Sequence, residues 1–231
     1  MGHRKDIYVD KLGSIPLPKG GGCQGYFAET YRSSETLQVE GREGNDRSIF
    51  TTIYYLMAPE LGGMNFVHSN KSDTVHYFHD GCPAKYVLIS PEGKVKEYIL
   101  GCDVTKGHVP QLLVPGGFLK AEKILVKEEE YAMFAGETPF TLMSQQVSPG
   151  FDYRDYHVLD AAEVKNMFPE LWPILDEYMA PKGNNAPINS KLQHPPPGTP
   201  RAFDCASCPG RREFERCVER VGNLNRIYLL F

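Results

Sequence analysis

Imidazoles at His68, His76 and His79 and the amine of Lys120, all set in strand-like stretches, are the side chains of this 231-residue chain best suited to proton chemistry. Histidine changes charge near neutrality and can act as a general base, and a lysine fixed beside it can carry positive charge to a developing enolate. In extended backbone alternate residues share a face. His68 and Asn70 therefore point together, as do Thr74 and His76, while His79 takes the other face unless its strand bulges. Gln111, at a strand start, can orient a ligand hydroxyl or can satisfy backbone. His68 is either a base in a cavity or a hydrogen-bonded interior residue. Lys120 is costly to bury alone, so it either meets an anion, such as a ligand phosphate or carboxylate, or faces solvent. Tyr26, Tyr54, Tyr77 and Phe118 can wall a pocket for a sugar ring or fill core. Glu29 and Arg32 fall on opposite faces of an ideal strand and are not expected to pair.

Strands must position these groups. From Gly25 onward, runs rich in aromatic and β-branched residues predict strands over 25–32, 48–57, 64–69, 74–79, 84–90, 94–100, 110–115, 117–126, 130–136 and 140–147. Pro91-Glu92-Gly93 reads as a hairpin turn. Short strands without intervening helices predict an antiparallel sandwich or barrel. A short helix is expected over residues 5–13, ending at Gly13. Asp160 with Glu163 makes a capping box for a second helix, and Pro169 starts a third that runs to about Met179. Leu171, Trp172, Ile174, Leu175 and Tyr178 of that third helix can face the barrel.

The expected organisation is a lead-in with a short helix over 1–24, a barrel plus helical pair over 25–180, and a Pro-rich, Cys-containing tail over 181–231. In the tail, Pro195-Pro196-Pro197 forms a stiff stretch and Ile227–Phe231 an apolar end. It is either a flexible extension or a partner-binding element. Cys205-x-x-Cys208 and Cys217 invite a zinc reading, but a structural zinc wants four ligands and His194 is a remote fourth. Cys23, Cys82 and Cys102 are isolated and expected to be reduced. A net charge of −4 gives no reason to expect a nucleic-acid partner. No apolar run approaches the roughly 18–20 residues of a membrane span, and the polar N-terminus lacks a signal-peptide core, so the expected address is cytoplasmic.

The string Gly25-Tyr-Phe-Ala-Glu-Thr-Tyr-Arg-Ser33 is followed in order by Ser72-Asp73, Phe78-His79-x-Gly81, Leu100-Gly101-x-Asp103 and Pro110-Gln-Leu-Leu-Val-Pro115. Ser148-Pro-Gly-Phe-Asp-Tyr153 closes the series. Over roughly residues 10–178 this resembles a small single-domain cupin family, formerly a domain of unknown function and labelled a predicted sugar epimerase. The resemblance implies an antiparallel jelly-roll β-barrel, mainly β, holding a small polar metabolite such as a carbohydrate. It implies a homodimer as well, since uncovered sheet edges invite pairing. The wider cupin pattern Gly-x5-His-x-His-x3-Glu-x6-Gly lies on Gly62, His68, Asn70, Thr74 and Gly81. Asn70 stands for the second histidine and Thr74 for the glutamate. In the second motif, Pro115-x-Gly117 is kept but Lys120 holds the place of the last metal-binding histidine. His68 alone remains as a metal ligand of the pattern, and the charge of Lys120, if inward, opposes a divalent cation. No cofactor is therefore expected, a divalent metal being the alternative.

Two functions follow from the resemblance. One is an isomerase or epimerase on a sugar derivative, with His68 as base, Lys120 or His79 supplying charge, and Asn70, Thr74, His76, His79 and Gln111 around the ligand. The alternative is a non-catalytic binding or storage-type barrel that has lost the metal site.

Overall fold

A computed structural model describes residues 3–17, 22–126 and 138–180. It opens with α1 (Arg4–Lys11), which gives way before Gly13 at a left-handed φ of 60°. Thirteen strands lie among the described residues. They are β1 (Ile15–Pro16), β2 (Tyr26–Arg32), β3 (Thr36–Gln38), β4 (Asp46–Ser48), β5 (Thr51–Met57), β6 (Met64–Asn70), β7 (Asp73–Gly81), β8 (Ala84–Ile89), β9 (Val95–Leu100), β10 (Gln111–Val114), β11 (Leu119–Ile124), β12 (Thr141–Ser148) and β13 (Tyr156–Val158).

Strands β5 to β12 are dealt between two antiparallel sheets in the orders β5-β12-β7-β10 and β6-β11-β8-β9. Strands β1 and β2 extend the first sheet, β13 extends the second, and β3 pairs only with β4. That order is two interlocked Greek keys, and the fold is a jelly roll. The glycine closing the first motif shows why its spacing matters. Gly81 holds φ at 94°, and a Cβ there would lie 2.1 Å from the Phe140 carbonyl oxygen. Only glycine accepts both conditions.

Each outer face is covered in part. Leu56 and Leu142 of the six-stranded sheet, with Ala58 and Phe140 beside them, pack under Tyr8 and Val9 of α1 and Leu12 just after it. Val67, Val87, Ile89, Leu119 and Ala121 of the five-stranded sheet pack under Val164 of α2 (Ala161–Met167), Leu175 of α3 (Trp172–Leu175), and Phe168 and Tyr178 beside them. The inner faces contribute Tyr55, Ala84, Tyr86, Leu88, Leu112, Ile124 and Met143. Burying each large apolar side chain stabilises the fold by about 1.5–3 kcal/mol.

The capping box forms as expected: the Asp160 carboxylate accepts from the N–H groups of Ala162 and Glu163, and Glu163 accepts from the N–H of Asp160. The third helix is a correction. Pro173 has no N–H and clashes with the preceding turn, so the chain passes from a 3-10 turn at Pro169–Leu171 through one α turn to a second 3-10 turn at Asp176–Tyr178. Leu175 and Tyr178 reach the core, but Ile174 is 40% exposed. The strand expected over 48–57 is interrupted at Ile49 and Phe50. The expected strand at 130–136, and the tail with His194, Cys205, Cys208 and Cys217, lie outside the described residues. Cys23 and Cys102 are free thiols. No helix among the described residues is long and apolar enough to cross a membrane.

Candidate active site

The barrel interior carries a polar cluster whose bonds cross from one sheet to the other. On the five-stranded sheet, Lys120 lies opposite His68 and Leu88, and Glu122 lies opposite Asn65 and Tyr86. Asn65 and His68 are three residues apart, yet both face inward. A register shift between β6 and β11 places three steps of β6 against two of β11, and this bulge re-aims the pair. On the facing sheet, Glu29, Ile53, Gln145, His76 and Leu112 form one rung, and Phe27, Tyr55, Met143 and Phe78 form the next.

Lys120 is therefore inside, 5% exposed, which closes off its reading as a surface lysine. Its Nζ donates to Nε2 of His76 at 3.0 Å. That leaves the His76 proton on Nδ1, which donates to the Tyr86 hydroxyl at 3.0 Å, and that hydroxyl donates to the Met143 sulfur at 3.2 Å. Burial holds His76 well below the usual histidine range, and the charge of Lys120 and the neighbouring His68 deepen the shift. His68 donates from Nδ1 to the Phe66 carbonyl at 2.7 Å, so its Nε2 carries a lone pair toward the Cys23 thiol, 3.7 Å away. Burial pushes His68 down to about 4; the charge of Glu122 opposes the fall and that of Lys120 assists it. Both rings are neutral at physiological pH.

Cys23 is half-buried, 3.4 Å from the Tyr156 hydroxyl, and burial followed by the charge of Glu122 pushes its thiol up to about 11. Both shifts disfavour a thiolate–imidazolium nucleophile here. The cluster closes below through Asn65. Its Oδ1 accepts from the Tyr55 hydroxyl at 2.6 Å and the Gln24 N–H at 2.7 Å, and its Nδ2 donates to Oε1 of Glu122 at 2.8 Å.

The other residues expected at the site lie elsewhere, save one. Thr74 is buried on the inner side of β7 next to Val114 and Val147. Asn70 is half-buried at the end of β6, and its Oδ1 accepts from the Ser72 N–H at 2.9 Å, a turn bond. Gln111 is exposed, paired with Tyr77, on the opposite face of β10 from the buried Leu112. His79 is exposed as well: β7 does bulge between Phe78 and Asp80, but the ring stays outside, 2.9 Å from the Ser144 hydroxyl and edge-on to Tyr54. Of the proposed wall, Phe118 packs against the inner core and Tyr26 packs under α1.

Glu29 and Arg32 are a second correction. A register shift between Glu29 and Tyr31 turns both onto one side, and they form a bidentate pair at 2.7 and 3.1 Å. Residues that sequence reasoning missed are Cys23, Asn65, Tyr55, Tyr86, Glu122, Gln145 and Tyr156. Only Glu122 had a readable signal, as the residue two beyond Lys120 and therefore on its face.

The donor set does not fit a metal. A catalytic ion needs about three protein ligands. Here the Lys120 amine takes the lone pair of His76, Asn70 turns to a loop, and Thr74 offers no anionic donor. No group of three or more His, Cys, Asp or Glu side chains among the described residues is placed to hold an ion. Dialysis against a chelator is accordingly expected to leave the thermal midpoint unchanged, whereas removal of an ion present at 100 times its Kd costs about 2.7 kcal/mol.

Comparison with known proteins gives concordant results. The chain is 39% identical over 143 residues to an uncharacterized protein of Saccharomyces cerevisiae, covering 58% of this chain and 67% of that one. The structure is similar to a hypothetical protein from Leishmania major, with a TM-score of 0.65 and 27% identity over 76% of this chain and 98% of that one. It also shares the fold of a protein from Shewanella oneidensis, with a TM-score of 0.62 and 24% identity over 79% of this chain and 100% of that one. A family profile described as Cupin superfamily (DUF985) matches residues 7–159, and the chain belongs to that family.

Proposed function

We propose that the barrel interior binds a small polar metabolite and moves a proton on it beside a carbonyl group, as a metal-free isomerase or epimerase of sugar derivatives. The observation that carries this is the placement of Lys120 opposite His68, inside the barrel. A neutral imidazole with a bare Nε2 is a base, and the buried charge of Lys120 can compensate an enolate oxygen in surroundings where it acts strongly. Cys23 and Tyr156, which contact His68, are half-buried rather than fully enclosed, so a ligand enters past them.

The test is incubation with nucleotide-linked keto sugars in heavy water. Wild type is expected to introduce solvent deuterium next to the carbonyl. Lys120→Met is expected to lower that rate by about 10²-fold or more, as for loss of an oxyanion-stabilising group, and His68→Ala is expected to lose turnover while still binding. No uptake from any sugar sinks the catalytic reading. The low basicity of His68 favours a second reading, a barrel that binds without turnover. A thermal shift by the same sugars with no exchange would establish it. We also take the protein to be a cytoplasmic homodimer that pairs through a sheet edge, which sedimentation tests.

A further inference from the structure

Glu122 is fully buried, and only one of its carboxylate oxygens is used. Its Oε2 has no hydrogen-bond partner among the described residues, and a buried anionic oxygen left so is costly. The carboxylate cannot turn to relieve this. Asn65 accepts on Oδ1 from both Tyr55 and Gln24, so its Nδ2 must stay on Oε1 of Glu122. The free oxygen therefore has a fixed aim, on the inner face that also carries Lys120, one rung from His68. The surrounding groups feel the same charge: burial raises Cys23, Tyr55, Tyr86 and Tyr156, and the negative charge of Glu122 adds to each, ranking next after burial for Cys23 and Tyr86 and behind Cys23 for Tyr55 and Tyr156. A buried acceptor, a cation and an imidazole nitrogen thus lie on the inner face of one sheet, and nothing among the described residues satisfies the acceptor.

We propose that Glu122 is the catalytic residue that takes the carbon-bound proton of an α-hydroxy carbonyl sugar, with His68 handling the oxygen-bound one. This rests on reading the interior as a proton-transfer site, and it narrows the reaction to isomerisation through an enediolate. Oε2 removes the proton from the hydroxyl-bearing carbon. The C–H electron pair becomes the carbon–carbon double bond, and the carbonyl pair moves onto oxygen beside Lys120. Nε2 of His68 accepts the hydroxyl proton and returns it to the former carbonyl oxygen. Glu122 then gives its proton to the former carbonyl carbon. Carbonyl and hydroxyl have exchanged places, both side chains are restored, and no co-reactant is needed. A histidine as weakly basic as His68 suits the oxygen proton better than the carbon one.

The test uses the nucleotide-linked keto sugars together with free ketoses, in heavy water. Glu122→Gln keeps the acceptor for Asn65 and the side-chain shape. It is expected to lose about 10²-fold or more of the carbon-bound exchange while keeping the thermal shift given by the same sugar. Because a glutamine can disturb folding, Glu122→Ala is assayed with added formate, which is expected to restore exchange by supplying the missing carboxylate. Exchange by Glu122→Gln at the wild-type rate, or no rescue of Glu122→Ala by formate where its fold is intact, overturns the role of Glu122 and leaves the function proposed above standing. Wild type that exchanges no sugar in the set overturns both.

Discussion

Asp155→Asn is expected to destabilise the protein by about 3–5 kcal/mol, the scale for removing one partner of a buried ion pair. Asp155 and Arg47 each have side chains only 1% exposed. They meet in a two-point contact, Nε to Oδ2 at 2.8 Å and Nη2 to Oδ1 at 3.0 Å. Arg42 adds a third bond to Oδ2 at 3.0 Å and reaches the Ser72 hydroxyl and the Lys71 carbonyl. Burial alone raises a carboxylate, but here the two guanidinium groups outweigh it and hold Asp155 below its usual range. Asparagine fits the same space, yet its NH2 would face a guanidinium donor, and the charge of Arg47 would remain buried without an anion. The expected result is a lower urea midpoint with an unchanged slope. Replacing Asp155 and Arg47 together by apolar residues is expected to recover much of the loss, because the stranded charge goes with them. An equal loss in the single and double variants would show that packing, not the stranded charge, sets the penalty. The contact also bears on the interior: Asp155 precedes Tyr156, whose ring centroid lies 5.3 Å from that of His68.

The fold was legible because its signals were local. Aromatic and β-branched runs marked the strands, Gly81 and Pro91-Glu92-Gly93 marked turns, and Asp160 with Glu163 marked a helix start, each acting within a few residues. The third helix was misread because a strong first-turn proline at 169 was weighed without the second proline at 173, which removes a donor from the helix interior. Strand β13 and the β3–β4 hairpin have three-residue strands, too short for a period-two pattern to register.

The site was legible only where strand parity held. His68 and Lys120 were named from the spacing of the cupin pattern, with Lys120 left either inward or at the surface, and His76 from its alternation with Thr74. Parity failed at the bulges. The shift in β6 brings Asn65 to the same side as His68, and the one in β2 joins Glu29 to Arg32. No single-sequence rule places a bulge. Adjacent tyrosines gave a second failure: in Tyr54-Tyr55 either residue can face in, and the inner one is Tyr55, which is bonded to Asn65. Gln111 shows the same parity error in reverse, since its neighbour Leu112 is the residue that faces the core. The Asp155 clamp joins residues about a hundred positions apart, so only the fold itself could reveal it.

Stability is expected to fall between about pH 6.5 and pH 4, before the paired carboxylates titrate, and His68 is expected to carry a measurable share of that loss. Folding pushes His68 from 6.5 down to about 4, chiefly by burial. Between those values the unfolded chain binds a proton that the folded protein refuses. Stability therefore rises with pH across this window and is lost as pH falls through it. A shift of this size amounts to about 3 kcal/mol by the lower end. His76 is shifted in the same direction by burial and by Lys120 and adds to the loss with the same sign. The acidic groups act lower down. Asp152 is held at about 2 by its bond to Arg154, and Asp155 is also held below its usual range, so their contributions persist above the ordinary aspartate value of about 3.9 and fade beneath it. Urea midpoints measured from pH 7.5 to pH 4.5 on wild type and His68→Gln separate the two regimes. Glutamine does not titrate, so the variant is expected to start lower, having lost the bond to the Phe66 carbonyl, but to decline less steeply with acid. Parallel slopes for the two proteins would mean that His68 takes up its proton as readily in the folded barrel as in the unfolded chain, and the interior would then be wetter than its burial implies.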